Sequence, residues 1–352
     1  MTTMTPNALT AGRLPAAAPW GLLAASLAVF VIGGWILGGP GFNWIGTIIL
    51  GVLAFIVVNF VIALLVEGVR QATDRFVTSL VTSAFVVAII PLVWLLVTVL
   101  QFGLGTFLNG TFLNSSMRNV VGEGGGALHA IVGTLEITGL AALISVPIGL
   151  MTAIYLVEYG RGRLAQGITF LVDVMTGIPS IVAGLATYAL FVIFFGEGVK
   201  MGFAGSAALS ILMIPVVVRS SEEILKLVPN ELREASYALG VPKWLTIVRI
   251  VLPTSIAGIT TGIMLSISRV IGETAPLLIV AGFTTSMNYN PFADRMMSLP
   301  VFVYNQYVSP GTEAQFYIER AWAGALTLIL IVALLNVIAR IVSHFFSPKL
   351  SR

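Results

Sequence analysis

Cysteine is absent from the 352 residues, and histidine occurs twice, at His129 and His344. Without cysteine there is no disulfide framework, no thiolate metal site and no cysteine nucleophile, and two isolated histidines cannot build a histidine-rich metal site. Charge is also scarce. Only 9% of residues are Asp, Glu, Lys or Arg, against the roughly 25% of an ordinary soluble domain. The basic residues form no run or stripe, so the net charge of +3 and the pI near 9.3 do not point to nucleic acid. No Gly-x-x-x-x-Gly-Lys-Ser/Thr phosphate loop occurs. Apolar residues fill the chain instead, 57% of it, with a mean hydropathy of +1.01 and in uninterrupted blocks. This is the composition of an all-α polytopic membrane protein.

A bilayer core about 30 Å thick requires about 20 mainly apolar residues per helix. Eight stretches meet or approach that length: 20–37, 44–66, 80–100, 128–156, 168–195, 203–219, 254–283 and 321–343. The turn-rich segment 38–43 makes the first two a tight hairpin, residues 20–66, appended to a six-helix core within 67–352. Residues 1–19 read as a short cytoplasmic leader. Placement of Lys and Arg sets the orientation. With the N-terminus inside, thirteen of the eighteen basic residues are cytoplasmic and both termini lie there. Arg118, Lys200, Arg295 and Arg320 are then outside, and Arg269 is left within the membrane. Two longer outer segments result, 101–129 and 283–319, either of which can meet an external partner. The glycine-rich run Gly122–Gly126 reads as a flexible approach to the next helix.

The inner loop 220–253 is too long for a simple turn and is patterned as two short helices. Asn230 is the expected N-cap of the first, with Glu231 and Glu234 complementing the helix dipole. Gly240 closes that helix, Pro242 starts the second and Pro253 ends it. Such an elbow either lies on lipid or offers Leu232, Ala235, Leu239 and Trp244 to a partner's groove.

Glu234-Ala235-Ser236, three residues, Gly240, nine residues, Ile250, one residue and Leu252-Pro253 resembles the EAA loop of ABC importer permeases of type I, with Ser236 in place of the second alanine. Four further segments resemble the PstA-type permease subunits of phosphate importers. These are YLVEYG at 155–160, GIPSIVAGL at 177–185, PVVVRSSEE at 215–223 and SRVIGETAPLL at 268–278. The resemblance implies a permease that forms half of a translocation path and catalyses no bond breaking. It implies that residues 230–251, among them Glu234, Ala235, Ser236, Leu239, Gly240, Val241, Pro242 and Ile250 with Pro253 just beyond, dock on a cytoplasmic ATPase. ATP and magnesium are then bound by that ATPase, with no cofactor in this chain. The implied partners are a PstC-like second permease, a PstB-like ATPase dimer and a PstS-like external phosphate-binding protein, at the cell inner membrane. The 20–66 hairpin exceeds the six-helix plan of this family.

Charges inside the apolar spans are candidates for the path. An arginine near the bilayer centre costs at least about 2.5 kcal/mol, so such residues face a cavity or a partner. Arg269 and Glu273 are four apart, on one face of a helix read as 254–283. They either form an internal salt bridge, or Arg269 meets a tetrahedral oxyanion with its donor fork while Glu273 alternately holds and releases it. A carboxylate beside the path favours an anion that still carries a proton, which fits phosphate better than sulfate. Arg219 ends the short helix 203–219, where the positive-inside rule alone explains it; the resemblance makes it an exit arginine. Pro179 reads as a kink in helix 168–195 whose freed carbonyls Thr176 or Ser180 can satisfy. Pro179, Ser180 and Thr274 are assigned to the same route. Asp173 and Glu136 can each pair with an arginine. Two other oxyanions, sulfate and molybdate, suit the same loop. An ion-coupled transporter would use these charges as a relay but needs inverted repeats, which are not apparent. A membrane enzyme would need a catalytic constellation that neither histidine has.

Overall fold

The computed structural model describes residues 14–38 and 43–346. Residues 39–42 of the turn read at 38–43 and most of the leader lie outside the described residues, as do Arg13, Lys349 and Arg352. Among the described residues there is no strand; seven helices are long and apolar enough to cross a membrane, or eight if one sharply bent pair counts as a span. The chain divides into two compact units, 1–97 and 98–352.

The first unit holds α1 (Ala18–Gly38), α2 (Trp44–Val66) and most of α3 (Val69–Leu108). Asn43 caps α2 by accepting from the Gly46 amide at 3.0 Å. Helix α3 takes in the polar segment before residue 80 as well as the apolar window. Hydropathy marks what the bilayer must cover, whereas Arg, Gln and Ala keep the backbone helical beyond it. Two polar contacts fasten α3 to the end of α2. The buried Asn59 donates to Ser79 Oγ at 3.0 Å, and Glu67 accepts from Arg75 Nε at 2.5 Å and Nη2 at 2.8 Å.

The second unit continues with α4 (Gly110–Asn114) and α5 (Leu128–Ile154), which runs into a π turn at Tyr155–Tyr159. Then come α6 (Arg163–Thr176), α7 (Ser180–Phe195), α8 (Gly202–Lys226), α9 (Asn230–Ala238) and α10 (Lys243–Thr246). A second π turn at Ile247–Val251 leads into α11 (Leu252–Val270), followed by α12 (Ala275–Val280), α13 (Leu299–Val308) and α14 (Ala314–Phe346). Its centre is the pair α5 and α8, where Ala141, Ser145, Ser206 and Ala208 are wholly buried. Small residues let the two backbones approach closely, which is how helices gain dispersion contacts where lipid removes any hydrophobic drive. A Cβ on Gly149 would meet Val217 Cγ1 at 2.7 Å. Ile137, Leu209, Met213, Met296 and Phe302 fill the remaining core.

The stretch 168–195 is not one kinked helix: α6 and α7 are separate and meet at 107°. Pro179, with φ −60° and ψ 137°, sits ahead of α7 in extended conformation, since it cannot donate within a continuing helix. The freed carbonyl is not taken by Thr176, whose hydroxyl donates back to Val172 O at 2.9 Å. Helix α8 does not stop at Arg219 but runs on to Lys226. The span read as 254–283 breaks at Val270, because Gly272 and Pro276 interrupt it. The glycine run 122–126 is an ordered seat. Buried Arg320 donates from Nη1 to Gly122 O at 2.6 Å and Gly124 O at 2.9 Å, and from Nε to Gln306 Oε1 at 3.0 Å.

Candidate functional site

The elbow begins where α8 runs out. Gly240 carries φ +74°, a left-handed conformation that a Cβ would strain, and Pro242 leads into α10 with φ −68°. Asn230 is not the cap: it is the first helical residue, after Pro229, and its Oδ1 accepts from Arg233 Nη1 at 3.3 Å. Nor does Pro253 end the second helix. Helical backbone runs from Lys243 through the π turn to Val270. The wide turn at Ile247–Val251 absorbs a proline that has no amide hydrogen and whose ring would crowd a regular α turn.

Two sets of contacts fix this elbow. Ser236, the residue that departs from the EAA pattern, is buried and shares a hydroxyl hydrogen bond of 2.8 Å with Thr246 Oγ1, joining α9 to α10. Arg233 ties the elbow to α5 and α8. Its Nε and Nη2 donate to Glu158 Oε1 at 3.0 and 2.8 Å, Nη2 also to Leu225 O at 3.0 Å, and Nη1 to Val228 O at 2.6 Å. The pair is well shielded, with side chains 12% and 4% exposed. Lys243 adds a hydrogen bond to the Glu158 carbonyl and stands 4.9 Å over the Tyr159 ring. Glu158 therefore holds both helices of the elbow against the end of α5. Sequence reasoning met Glu158 only as a letter of YLVEYG; nothing local signals a partner 75 residues away.

The remaining loop residues divide by face. Glu234, Ala235, Leu239, Gly240, Pro242 and Pro253 are exposed, while Val241 and Ile250 are half-buried. Leu239 and Trp244 are 84% and 61% exposed, which makes the tip of the elbow an uncovered apolar surface.

Arg269 lies in the last turn of α11, where a cation complements the helix dipole, and its side chain is exposed. Glu273 and Thr274 fall in the break before α12 and are half-buried. Arg269 and Glu273 thus do not share a helix face, and no ion pair joins them among the described residues. The break packs on the helix that follows Pro179 and Ser180: a Cβ on Gly184 of α7 would lie 2.7 Å from Pro276 Cα. The two helix breaks are therefore neighbours, and Ser180 opens α7 half-buried.

Arg219 is placed differently. It pairs with Asp173 of α6 and, at 2.8 Å, with Glu222 one turn along α8; Glu222 in turn binds Lys226 at 2.7 Å. Its neighbour Ser220 lies against α11, where a Cβ on Gly262 would meet Ser220 Oγ at 2.7 Å. At 1.5 Å per residue, Arg269 is about 10 Å further along α11 from that contact. Glu136 of α5 is half-buried, and its Oε2 has no hydrogen-bond partner among the described residues.

The sequence profile of the binding-protein-dependent transport system inner membrane component family matches residues 145–352. The phosphate transport system permease protein PstA 1 of Mycobacterium tuberculosis (strain ATCC 25618 / H37Rv) is 49% identical over 275 residues, 78% of this chain and 88% of that protein. The phosphate transport system permease protein PstA of Pasteurella multocida (strain Pm70) is 40% identical over 285 residues, 80% of this chain and 96% of that protein. Among solved structures, an inward-facing MetNI methionine ABC transporter superposes with a TM-score of 0.52 at 18% identity, covering 63% of this chain and 96% of that one. A bacterial ABC transporter involved in the import of alginate gives 0.53 at 13% identity, covering 78% and 97%. These two establish the fold, an ABC importer permease fold, which agrees with the multi-pass helices described above. The chain belongs to the binding-protein-dependent transport system inner membrane component family, among its PstA-type permeases.

Proposed function

We propose that this chain is the transmembrane permease subunit of an ATP-driven phosphate importer, in which it forms half of the translocation path. The relatives named as phosphate permeases support the substrate. The observation that carries the coupling is the helical rod from Lys243 to Val270, which has the elbow at one end and Arg269 at the other. ATP hydrolysis belongs to a separate ATPase dimer, of the PstB kind, whose cleft receives the exposed tip around Leu239 and Trp244. A PstC-like second permease completes the path, and a PstS-like binding protein delivers the anion from outside. The elbow end is cytoplasmic, as are both termini, in keeping with the distribution of Lys and Arg. The hairpin 20–66 is an addition to the importer core.

Closure of the ATPase dimer displaces the elbow as a rigid body. Arg233, Glu158 and Lys243 carry that displacement into α5, while the helical rod carries it to Arg269. Arg269 offers a planar fork of donors to the oxyanion, and among the described residues no carboxylate forms an ion pair with it. Glu273, Thr274, Pro179 and Ser180 border the same route at the paired helix breaks. Arg219 already has two carboxylates, so an anion reaches it only when Asp173 lets go, as α6 and α8 shift relative to each other.

Reconstitution with the partner permease, the ATPase and the binding protein tests this reading. ATP-dependent phosphate uptake that excess sulfate or molybdate does not compete away is expected. Unchanged uptake in Arg269→Gln sinks the role of that arginine, and failure to recover an ATPase after gentle extraction sinks the importer reading.

A further inference from the structure

Between α11 and α14 lies a cleft of about 560 Å³, lined by Thr261, Ser268, Asn336, Arg340 and Ser343 with apolar side chains between them. The polar groups lie along one face of each helix: Thr261 and Ser268 are two turns apart on α11, and Asn336, Arg340 and Ser343 follow at four- and three-residue spacings on α14. Among the described residues no carboxylate lines the cleft. Arg340 is exposed and has no ion-pair partner among the described residues, unlike Arg219 with its two. The positive-inside rule explains one arginine near a helix end. It does not explain three hydroxyls and an amide around it, since polar groups at membrane depth face a cavity or a partner.

We propose that this cleft is a binding site for a phosphoryl oxyanion, with Arg340 as its cation. The proposal rests on the reading of α11 as the helix that carries Arg269 along the anion route, because Ser268 is its immediate neighbour. The hydrogen-bonding inventory is specific. Asn336 Nδ2 donates to Val332 O at 2.9 Å and towards Ser268 Oγ at 3.5 Å, which leaves the Ser268 hydrogen free to donate outward and Asn336 Oδ1 free to accept. Thr261 spends its hydrogen on Ala257 O at 2.9 Å, so its oxygen faces the cleft as an acceptor. A site with a guanidinium, hydroxyl donors and spare acceptors suits an oxyanion that keeps a proton. Inorganic phosphate at neutral pH does so; the phosphodiester of a lipid headgroup shares the phosphoryl group and the charge but has no proton to give.

The assembled complex, in nanodiscs of phosphatidylcholine alone or with phosphatidylglycerol, distinguishes the two sources. Binding of radiolabelled inorganic phosphate and retention of anionic lipid are measured for the wild type, Arg340→Gln, Arg340→Lys and Ser268→Ala. Removing one charge-assisted hydrogen bond corresponds to roughly tenfold weaker binding. Phosphate binding weakened about tenfold by Arg340→Gln, less by Ser268→Ala and least by Arg340→Lys supports the site with free phosphate in it. Unaltered phosphate binding with loss of retained phosphatidylglycerol supports the site with a headgroup in it. No change in either quantity in any variant overturns the proposal. If the wild type drives no phosphate uptake yet Arg340→Gln sheds lipid, the importer reading falls and the cleft stands; normal uptake with neither quantity changed removes the cleft alone.

Discussion

Arg233 and Arg269 stand at opposite ends of one continuous stretch of elbow and helix, and the chain treats them in opposite ways. Arg233 is enclosed, with Glu158 and the carbonyls of Leu225 and Val228 as acceptors. Arg269 is exposed and pairs with no carboxylate among the described residues, even though Glu273 is close in sequence. A cation satisfied within its own chain fixes geometry, because removing it strands a buried carboxylate. A cation left unsatisfied in an apolar helix must find its partner elsewhere, in a neighbouring subunit or in the substrate. The same residue type therefore has a mechanical role at the elbow and a recognition role at the helix break.

Substitutions can break this contrast, and their effects should fall in order. Arg233→Ala strands Glu158 and should cost about 3 kcal/mol or more of folded stability, read as a fall in the unfolding temperature of the purified complex. Replacing Arg233 and Glu158 together by Met and Leu should cost far less, since a buried pair can be exchanged for apolar packing. Equal losses in the single and double variants would show that the clamp is not a pair. Arg269→Gln should leave the unfolding temperature unchanged while uptake falls roughly tenfold to a hundredfold, the worth of one or two charge-assisted hydrogen bonds. A stability loss matching that of Arg233→Ala would place Arg269 among the structural charges.

Ser236→Ala removes one hydroxyl from a buried pair and should cost about 1 kcal/mol. It should reduce the uptake obtained per ATP without changing phosphate affinity. Asp173→Asn is the smallest expected change in stability, under about 1 kcal/mol, because that carboxylate is 58% exposed. Its use is diagnostic: raised basal ATP hydrolysis would mark the Asp173–Arg219 pair as a latch, and unaltered hydrolysis would leave it a surface contact.

The ease of reading these features from sequence followed how local their causes are. The apolar blocks, the elbow and its Gly-Val-Pro corner are legible, because hydropathy and backbone restriction act within a few residues. Helix breaks were legible only in part. Pro179 reads as a kink rather than a break, and a single apolar window over 254–283 hides the break after Val270 although Gly272 and Pro276 lie inside it. Length-based reading assumes that a span is straight, whereas α7 and α12 pack broken ends together. Least legible were pairings across distance: Glu158 with Arg233 and Asp173 with Arg219 depend on how α5, α6 and α8 assemble. Arg320 shows the converse. A glycine run that looked loose is ordered because its bare carbonyls reach a buried guanidinium.

The claim most worth testing is that Glu158 carries elbow motion into the helices that move phosphate. Phosphate taken up per ATP hydrolysed, measured in the same proteoliposomes for wild type and Glu158→Gln, addresses it directly. ATP hydrolysis that continues while uptake per ATP drops several-fold is the expected result. An unchanged ratio, with the complex intact and Arg233 no longer paired to a carboxylate, would contradict it.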